Sequence, residues 1–170
     1  IHPIIGVVMF LGFARQFLRY WHHNFIDKED VKWMTSVLKV LKGYEVGDVG
    51  KYNGGQKGMF WLMTACMLVL IATGVIAWRP YFAQYFPIPV IRLALLAHAW
   101  AATILIAGII VHAYAAIWIN GTIRAMVEGV VTQAWAKNHH PRWYREMIAK
   151  NKAHEENTGN GGIDGEAEKP

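Results

Sequence analysis

Three apolar stretches divide an otherwise polar chain: residues 4–18, 59–78 and 94–119. The second runs for 20 residues and the third for 26 without a charged side chain; about 20 apolar residues cross a bilayer as a helix. The first is shorter, but counted over residues 1–20 it also spans if Arg15 and Arg19 extend their stems to the surface. Backbone groups in hydrocarbon must pair within their own segment, so all three are predicted as helices. The expected fold class is all-α: an integral membrane helical bundle with transmembrane helices at about 1–20, 59–78 and 94–119 and additional interfacial amphipathic helices.

The polar intervals have patterns of their own. Asp27 is a candidate N-cap for a helix ending near Gly43, and Val31, Met34, Leu38 and Leu41 fall on one of its faces. That pattern predicts a helix lying on the membrane surface. Residues 47–56 are glycine-rich and read as irregular. Trp78-Arg79-Pro80-Tyr81 closes the second span with a belt aromatic, a snorkelling charge and a helix stop, and Pro87 and Pro89 precede the third. Asn120-Gly121 breaks the third span, after which Ile123, Met126, Val127 and Val130 suggest another amphipathic piece. From Asn151 to Pro170 the chain is polar and rich in Gly and Glu, a composition expected to be disordered. The domain expectation is one membrane domain over 1–148 and a polar tail over 149–170, with no internal repeat.

Charge sets the orientation. The formal net charge of +5 in 170 residues invites a nucleic-acid reading, but its distribution argues against one. Lys28, Lys32, Lys39, Lys42 and Lys51 fall in the 26–56 loop, and Arg124, Lys137, Arg142, Arg145 and Lys150 follow Ile119. The 79–92 connection carries only Arg79 and Arg92. By the positive-inside tendency the loop and the C-terminal region are cytoplasmic and the short connection faces outward. The opening at Ile1 has no charged n-region and no cleavage site, so it does not read as a signal peptide. The single cysteine, Cys66, allows no disulfide within the chain and cannot build an iron–sulfur site; it reads as a packing residue.

Candidate chemistry lies in the histidines. His98 and His112 stand fourteen residues apart in the third span, which returns to within roughly 40° of the same face about 21 Å further along. Ionisable side chains inside a membrane mark function by default, and two on one stripe suit two haems at two depths. His2 lies at the outer end of the first span and His98 about a turn into the third, also from outside, so the two can be axial ligands of one b-type haem. No residue here matches His112: His23 overshoots the depth by about 10 Å, His22 points to the opposite face, and Met59 or Met63 would be weak thioether candidates. A histidine on a helix upstream of residue 1 is the expected mate. His22, His23, His139 and His140 have polar or charged neighbours and read as interfacial or solvated, with proton uptake near a quinone as the chemical alternative.

These residues resemble the γ subunit, cytochrome b556, of bacterial membrane-bound formate dehydrogenases. The resemblance runs from His2-Pro3 to about Ile148, most densely in Arg19-Tyr-Trp-His-His-Asn24, Val49-Gly-Lys-Tyr-Asn-Gly-Gly-Gln-Lys57, Gly74-Val-Ile-Ala-Trp-Arg-Pro-Tyr-Phe-Ala83 and Trp135-Ala-Lys-Asn-His-His-Pro-Arg-Trp-Tyr-Arg-Glu146. It implies four transmembrane helices, of which this sequence has the last three, and two haem b groups. His2 and His98 would bind the periplasmic-side haem, and His112 the cytoplasmic-side haem with a partner on the family's first helix. It further implies that Asn53, Gly55 and Gln56, with His112, bind the quinone, menaquinone or ubiquinone. Amide and backbone N–H donors suit a quinone carbonyl, and glycine lets a backbone approach a flat ring.

The implied partners are an iron–sulfur β subunit, through it a molybdenum or tungsten catalytic α subunit, the lipid bilayer, and a higher oligomer of the heterotrimer. Quinone reduction would be the chain's share of a formate:quinone oxidoreductase, with no residue here oxidising formate. A hydrogenase or thiosulfate-reductase cytochrome b is the near alternative. The other class is a non-redox transporter or scaffold, against which stands the lack of Asp, Glu or Lys inside the spans and of paired broken helices.

Overall fold

The computed structural model describes residues 1–37, 39, 47–119 and 121–158, and all regular structure among them is helical. Among the described residues seven α-helices follow in order: α1 His2–Tyr20, α2 Lys28–Thr35, α3 Gly54–Ala77, α4 Ile88–Trp118, α5 Thr122–Glu128, α6 Gln133–His139 and α7 Pro141–Thr158. Short 3₁₀ turns occupy Trp21–His23 and Ala83–Tyr85. Three segments, His2–His23, Gly54–Ala77 and Ile88–Trp118, are long and apolar enough to cross a membrane. At 1.5 Å per residue α3 is about 36 Å long and α4 about 46 Å, more than a hydrocarbon core requires.

The chain divides into two compact units, residues 1–25 with 58–113, and residues 26–57 with 114–170. In the first, α1, α3 and α4 pack through small and aromatic side chains. The buried residues of α4 are Ala94, Ala101 and Gly108, spaced seven apart on a single stripe. Small residues let membrane helices approach closely where apolar bulk would face lipid anyway. The bulky Leu93, Leu96, Trp100, Ile110 and Val111 of the same helix are exposed. A side chain at Gly108 would press on Met59, whose Cε lies 3.2 Å from the position of an added Cβ. α1 meets α3 through Phe17, stacked on Phe60 at 5.7 Å between ring centres with Trp61 edge-on at 6.3 Å. Asn24 closes the end of α1: its Nδ2 donates to the Tyr20 carbonyl, and its own carbonyl accepts from Trp61 Nε1 at 2.8 Å. Cys66 is buried and unpaired, in keeping with a packing role.

In the second unit, two helix starts are built alike. Asp27 caps α2, accepting from the Asp30 N–H at 3.0 Å, while the Asp30 carboxylate accepts from the Asp27 N–H at 2.8 Å. Asn53 caps α3 by the same reciprocal device with Gln56: the Gln56 N–H donates to Asn53 Oδ1 at 2.8 Å and the Asn53 N–H to Gln56 Oε1 at 2.9 Å. Such a box satisfies two of the orphan donors at a helix start. α3 therefore begins at Gly54, five residues before the apolar run at Met59, and part of the stretch read as irregular is its first turn. Likewise α4 begins at Ile88 and takes Pro89 into its first turn, where proline lacks only a hydrogen bond that no residue there makes.

Other expectations fare unevenly. Asp27 is the N-cap anticipated, but the described helix ends at Thr35; Leu38, Leu41 and Gly43 lie outside the described residues. α5 is bracketed by Gly121 and Gly129, both at positive φ (91° and 71°), the left-handed backbone that glycine accepts without strain. α7 continues to Thr158, so the polar run from Asn151 is helical over its first eight residues, against the disorder expected of it. Residues 159–170 lie outside the described part.

Candidate functional site

In the first unit the rings of His2 and His98 come together, with centres 6.1 Å apart and planes at 85°. Sequence depth brought these two into correspondence, and α1 and α4 bring them side by side. They border a cavity of about 430 Å³ whose lining is mainly apolar, including Phe10, Met67, Leu70, Gly74 and Trp78. The ring separation can be compared with one metal between two imidazoles. With metal–nitrogen bonds of about 2 Å, and about 1.1 Å more to each ring centre, the centres stand roughly 6 Å apart. Two imidazoles as donors and an apolar lining are the chemistry that a haem would need: His2 and His98 would hold it and the lining would shield it from water.

His98 is held from behind. Its Nδ1 lies 2.9 Å from Thr73 Oγ1 on α3, and the same hydroxyl lies 2.6 Å from the Val69 carbonyl. Thr73 is 9% exposed. Sequence reading passed over it, because a threonine in an apolar helix most often bonds only its own backbone, as Thr64 does to the Phe60 carbonyl. His112 stands one turn and a half before the end of α4, and among the described residues it makes no hydrogen bond or ring contact.

In the second unit, Asn53, Gly55 and Gln56 stand together at the start of α3. The capping box engages the oxygen of each amide side chain and leaves both NH₂ groups as donors. The first-turn N–H groups of the helix, that of Gly55 included, have no intrahelical acceptor. The glycines have a packing reason as well as a chemical one. A Cβ on Gly54 would fall 2.6 Å from the Asp30 carbonyl oxygen, and one on Gly55 2.7 Å from the Trp33 ring. The flat ring against Gly55 is thus the protein's own tryptophan. His112 belongs to the first unit and these three residues to the second.

Charge is concentrated behind this helix start. Lys57 Nζ bonds Asp30 Oδ2 at 2.5 Å, both side chains being almost fully buried, and lies 3.8 Å from Asp27. Arg142 of α7 donates to Asp27 at 2.9 Å and Arg145 to Asp48 at 2.6 Å. Burial pushes the Asp27 carboxyl upward, but the Arg142 hydrogen bond, the Asp30 N–H and the charges of Lys57 and Arg142 outweigh it and hold the group at about 2. The same hydrogen bond to Asp27 moves Arg142 upward. His140, expected at the surface, is instead 5% exposed and donates from Nδ1 to the Gly50 carbonyl at 2.7 Å. Burial lowers its pKa, more than the Gly50 bond raises it, and neighbouring His139 lowers it further. Exposed His139 lies tilted against half-buried Trp135 at 4.9 Å between ring centres, and His22 lies against His23 at 4.0 Å, both exposed.

Fold and site together define a multi-pass helical membrane protein in which two imidazoles face each other at an apolar cavity. The model of the prokaryotic cytochrome b561 family matches residues 1–129. The formate dehydrogenase cytochrome b556(fdo) subunit of Escherichia coli K12 is 56% identical over 147 residues, covering 86% of this chain and 70% of the relative. The nitrate-inducible formate dehydrogenase cytochrome b556(Fdn) subunit of the same strain is 53% identical over 149 residues, 86% of this chain and 69% of that one. The formate dehydrogenase cytochrome b556 subunit of Haemophilus influenzae is 52% identical over 150 residues, 87% of this chain and 63% of that one. The chain belongs to the prokaryotic cytochrome b561 family and, within it, to the formate dehydrogenase cytochrome b556, or gamma, subunits. It is accordingly a multi-pass inner-membrane cytochrome b, with haem b as its cofactor.

Proposed function

We propose that this chain is the quinone-reducing membrane subunit of a formate:quinone oxidoreductase. Electrons would come from an iron–sulfur β subunit, itself served by a molybdenum or tungsten α subunit, on the periplasmic side. They would leave to menaquinone or ubiquinone near the cytoplasmic side. The observation that carries the reading is the His2–His98 ring pair at 6.1 Å over an apolar cavity. Bound there, haem b supplies a one-electron carrier; a second, at His112, would make the path long enough to cross the membrane.

The chain's own residues hold, orient and shield. His2 and His98 each present a ring nitrogen to the periplasmic-side seat, and Phe10, Met67 and Trp78 keep water from it. His112 is one ligand of the cytoplasmic-side seat and takes its mate from outside the described residues. At the quinone, Asn53 Nδ2, Gln56 Nε2 and the Gly55 N–H are donors to a carbonyl oxygen whose negative charge grows on reduction. The 26–56 loop and the C-terminal region are cytoplasmic in this reading, so quinol protons are taken from the side opposite to formate oxidation. The names of the relatives favour formate dehydrogenase over a hydrogenase or thiosulfate-reductase complex.

His98→Ala in the complex purified from membranes tests the reading. The variant is expected to lose part of the reduced b-type α-band and to lose formate-driven quinone reduction, while formate oxidation by an artificial acceptor persists. Quinone reduction at the wild-type rate would remove His98 from the path. A wild-type preparation with no b-type band would return the chain to the scaffold or transporter class.

A further inference from the structure

We infer that Thr73 is a positioning residue for His98, fixing the ring in the tautomer that turns an Nε2 lone pair toward the cavity. This rests on the reading of His98 as a haem ligand. A threonine hydroxyl has one proton and two lone pairs. Thr73 Oγ1 lies 2.6 Å from the Val69 carbonyl oxygen and 3.3 Å from that of Leu70, and both oxygens can only accept. The proton is therefore committed to the α3 backbone, and toward His98 Nδ1, 2.9 Å away, the hydroxyl offers only a lone pair. Nδ1 must carry the ring proton, which leaves Nε2 deprotonated and free to bind metal. In the opposite tautomer two lone pairs would face each other across that contact, and Nε2–H could bind nothing.

The setting keeps this arrangement stiff. Thr73 is buried and its side chain is tied to its own helix one turn back. Its neighbour Gly74 leaves the His98 edge uncrowded: a Cβ there would meet Cε1 at 3.6 Å and Nδ1 at 3.9 Å, ordinary contact distances. The other imidazole has no such support. His2 opens α1, and among the described residues its ring meets only that of His98. One ligand is thus oriented by the protein and the other adjusts to it. Outer partners that accept from a ligating histidine raise its basicity and favour the more highly charged metal.

The test is a redox titration of the complex purified from membranes, followed at the α-band. The component lost in His98→Ala is expected at a more positive potential in Thr73→Val, which keeps the volume and removes the oxygen. The expected size is up to about tenfold in the oxidised-to-reduced ratio at a fixed potential, about 59 mV for one electron. Thr73→Ser, which restores the oxygen, should return the wild-type potential. A Thr73→Val titration superimposable on wild type overturns the inference. If Thr73→Val loses that component altogether, Thr73→Ser decides: a wild-type potential upholds the role of the oxygen, and loss or a Val-like value overturns it. If His98→Ala keeps every component, the ligand reading itself fails, and this inference with it.

Discussion

Asn53 shows how one side chain can serve structure and chemistry with different atoms. Its Oδ1 caps α3 by accepting from the Gln56 N–H, which leaves its Nδ2 to donate to a quinone carbonyl in the function proposed above. Substitution can separate the two uses. Asn53→Asp keeps the cap, since a carboxylate at a helix start is as good an acceptor and suits the positive end of the helix dipole. It removes the donor and sets a negative charge where a quinone oxygen gains one. Asn53→Ala removes both functions and should cost about 1 kcal/mol for the lost cap. The expected outcome is a quinone KM raised in both variants at unchanged haem spectra, with a lowered melting temperature in Ala alone. A wild-type KM in Asn53→Asp would confine this residue to capping.

At the level of elements, α4 explains why so much was legible. Its buried stripe of Ala94, Ala101 and Gly108 has the seven-residue spacing on which His98, Leu105 and His112 also fall. The histidines therefore follow a track next to the packing seam, and one apolar run reveals both. What escaped sequence reading was fixed by distant contacts. The start of α3 at Gly54 looks unpromising because glycine is the poorest ordinary helix former, yet Trp33 and Asp30 occupy the space that any side chain would need. The Asn53/Gln56 box was visible as a spacing but was masked by the glycines around it. His140 reads as solvated among His139, Pro141 and Arg142, but it is buried, and its Nδ1 bonds Gly50, ninety positions away. Thr73 could not be singled out without knowing which ring faces it. For the seam, Ala101→Leu should destabilise by about 1–3 kcal/mol through overpacking. Exposed Leu96→Ala should stay within about 0.5 kcal/mol. Thermal loss of the b-type band in matched detergent would register both, and equal midpoints would show that the stripe is not a packing seam.

Across the whole molecule the ionisable groups are divided unevenly, and acid sensitivity follows that division. All twelve Asp and Glu residues lie in the second unit; the first carries Arg15, Arg19, Arg79 and Arg92 but no carboxylate. The ion pairs that tie α7 to the 47–50 segment and to Asp27 therefore belong to one unit, as does buried His140. His140 has a folded pKa below its ordinary value of 6.5, so the unfolded state binds more protons there and stability rises with pH. Its contribution is complete above 6.5 and is lost as pH falls from 6.5 toward the lower folded value. Asp27 acts in the same direction but much lower, between its ordinary 3.8 and about 2. Between pH 7 and 5 the histidine is thus the controlling group in this region, and acidification should release the first turn of α7 before any carboxylate contact weakens. Hydrogen exchange of the backbone amides of Arg142 and Tyr144, which bond the Val49 and His140 carbonyls, reads this directly. Protection should fall over that range in the wild type. In His140→Gln, whose side-chain amide can still donate to Gly50 but does not titrate, protection should be nearly flat. Equal pH dependence in the two proteins would place the acid response elsewhere.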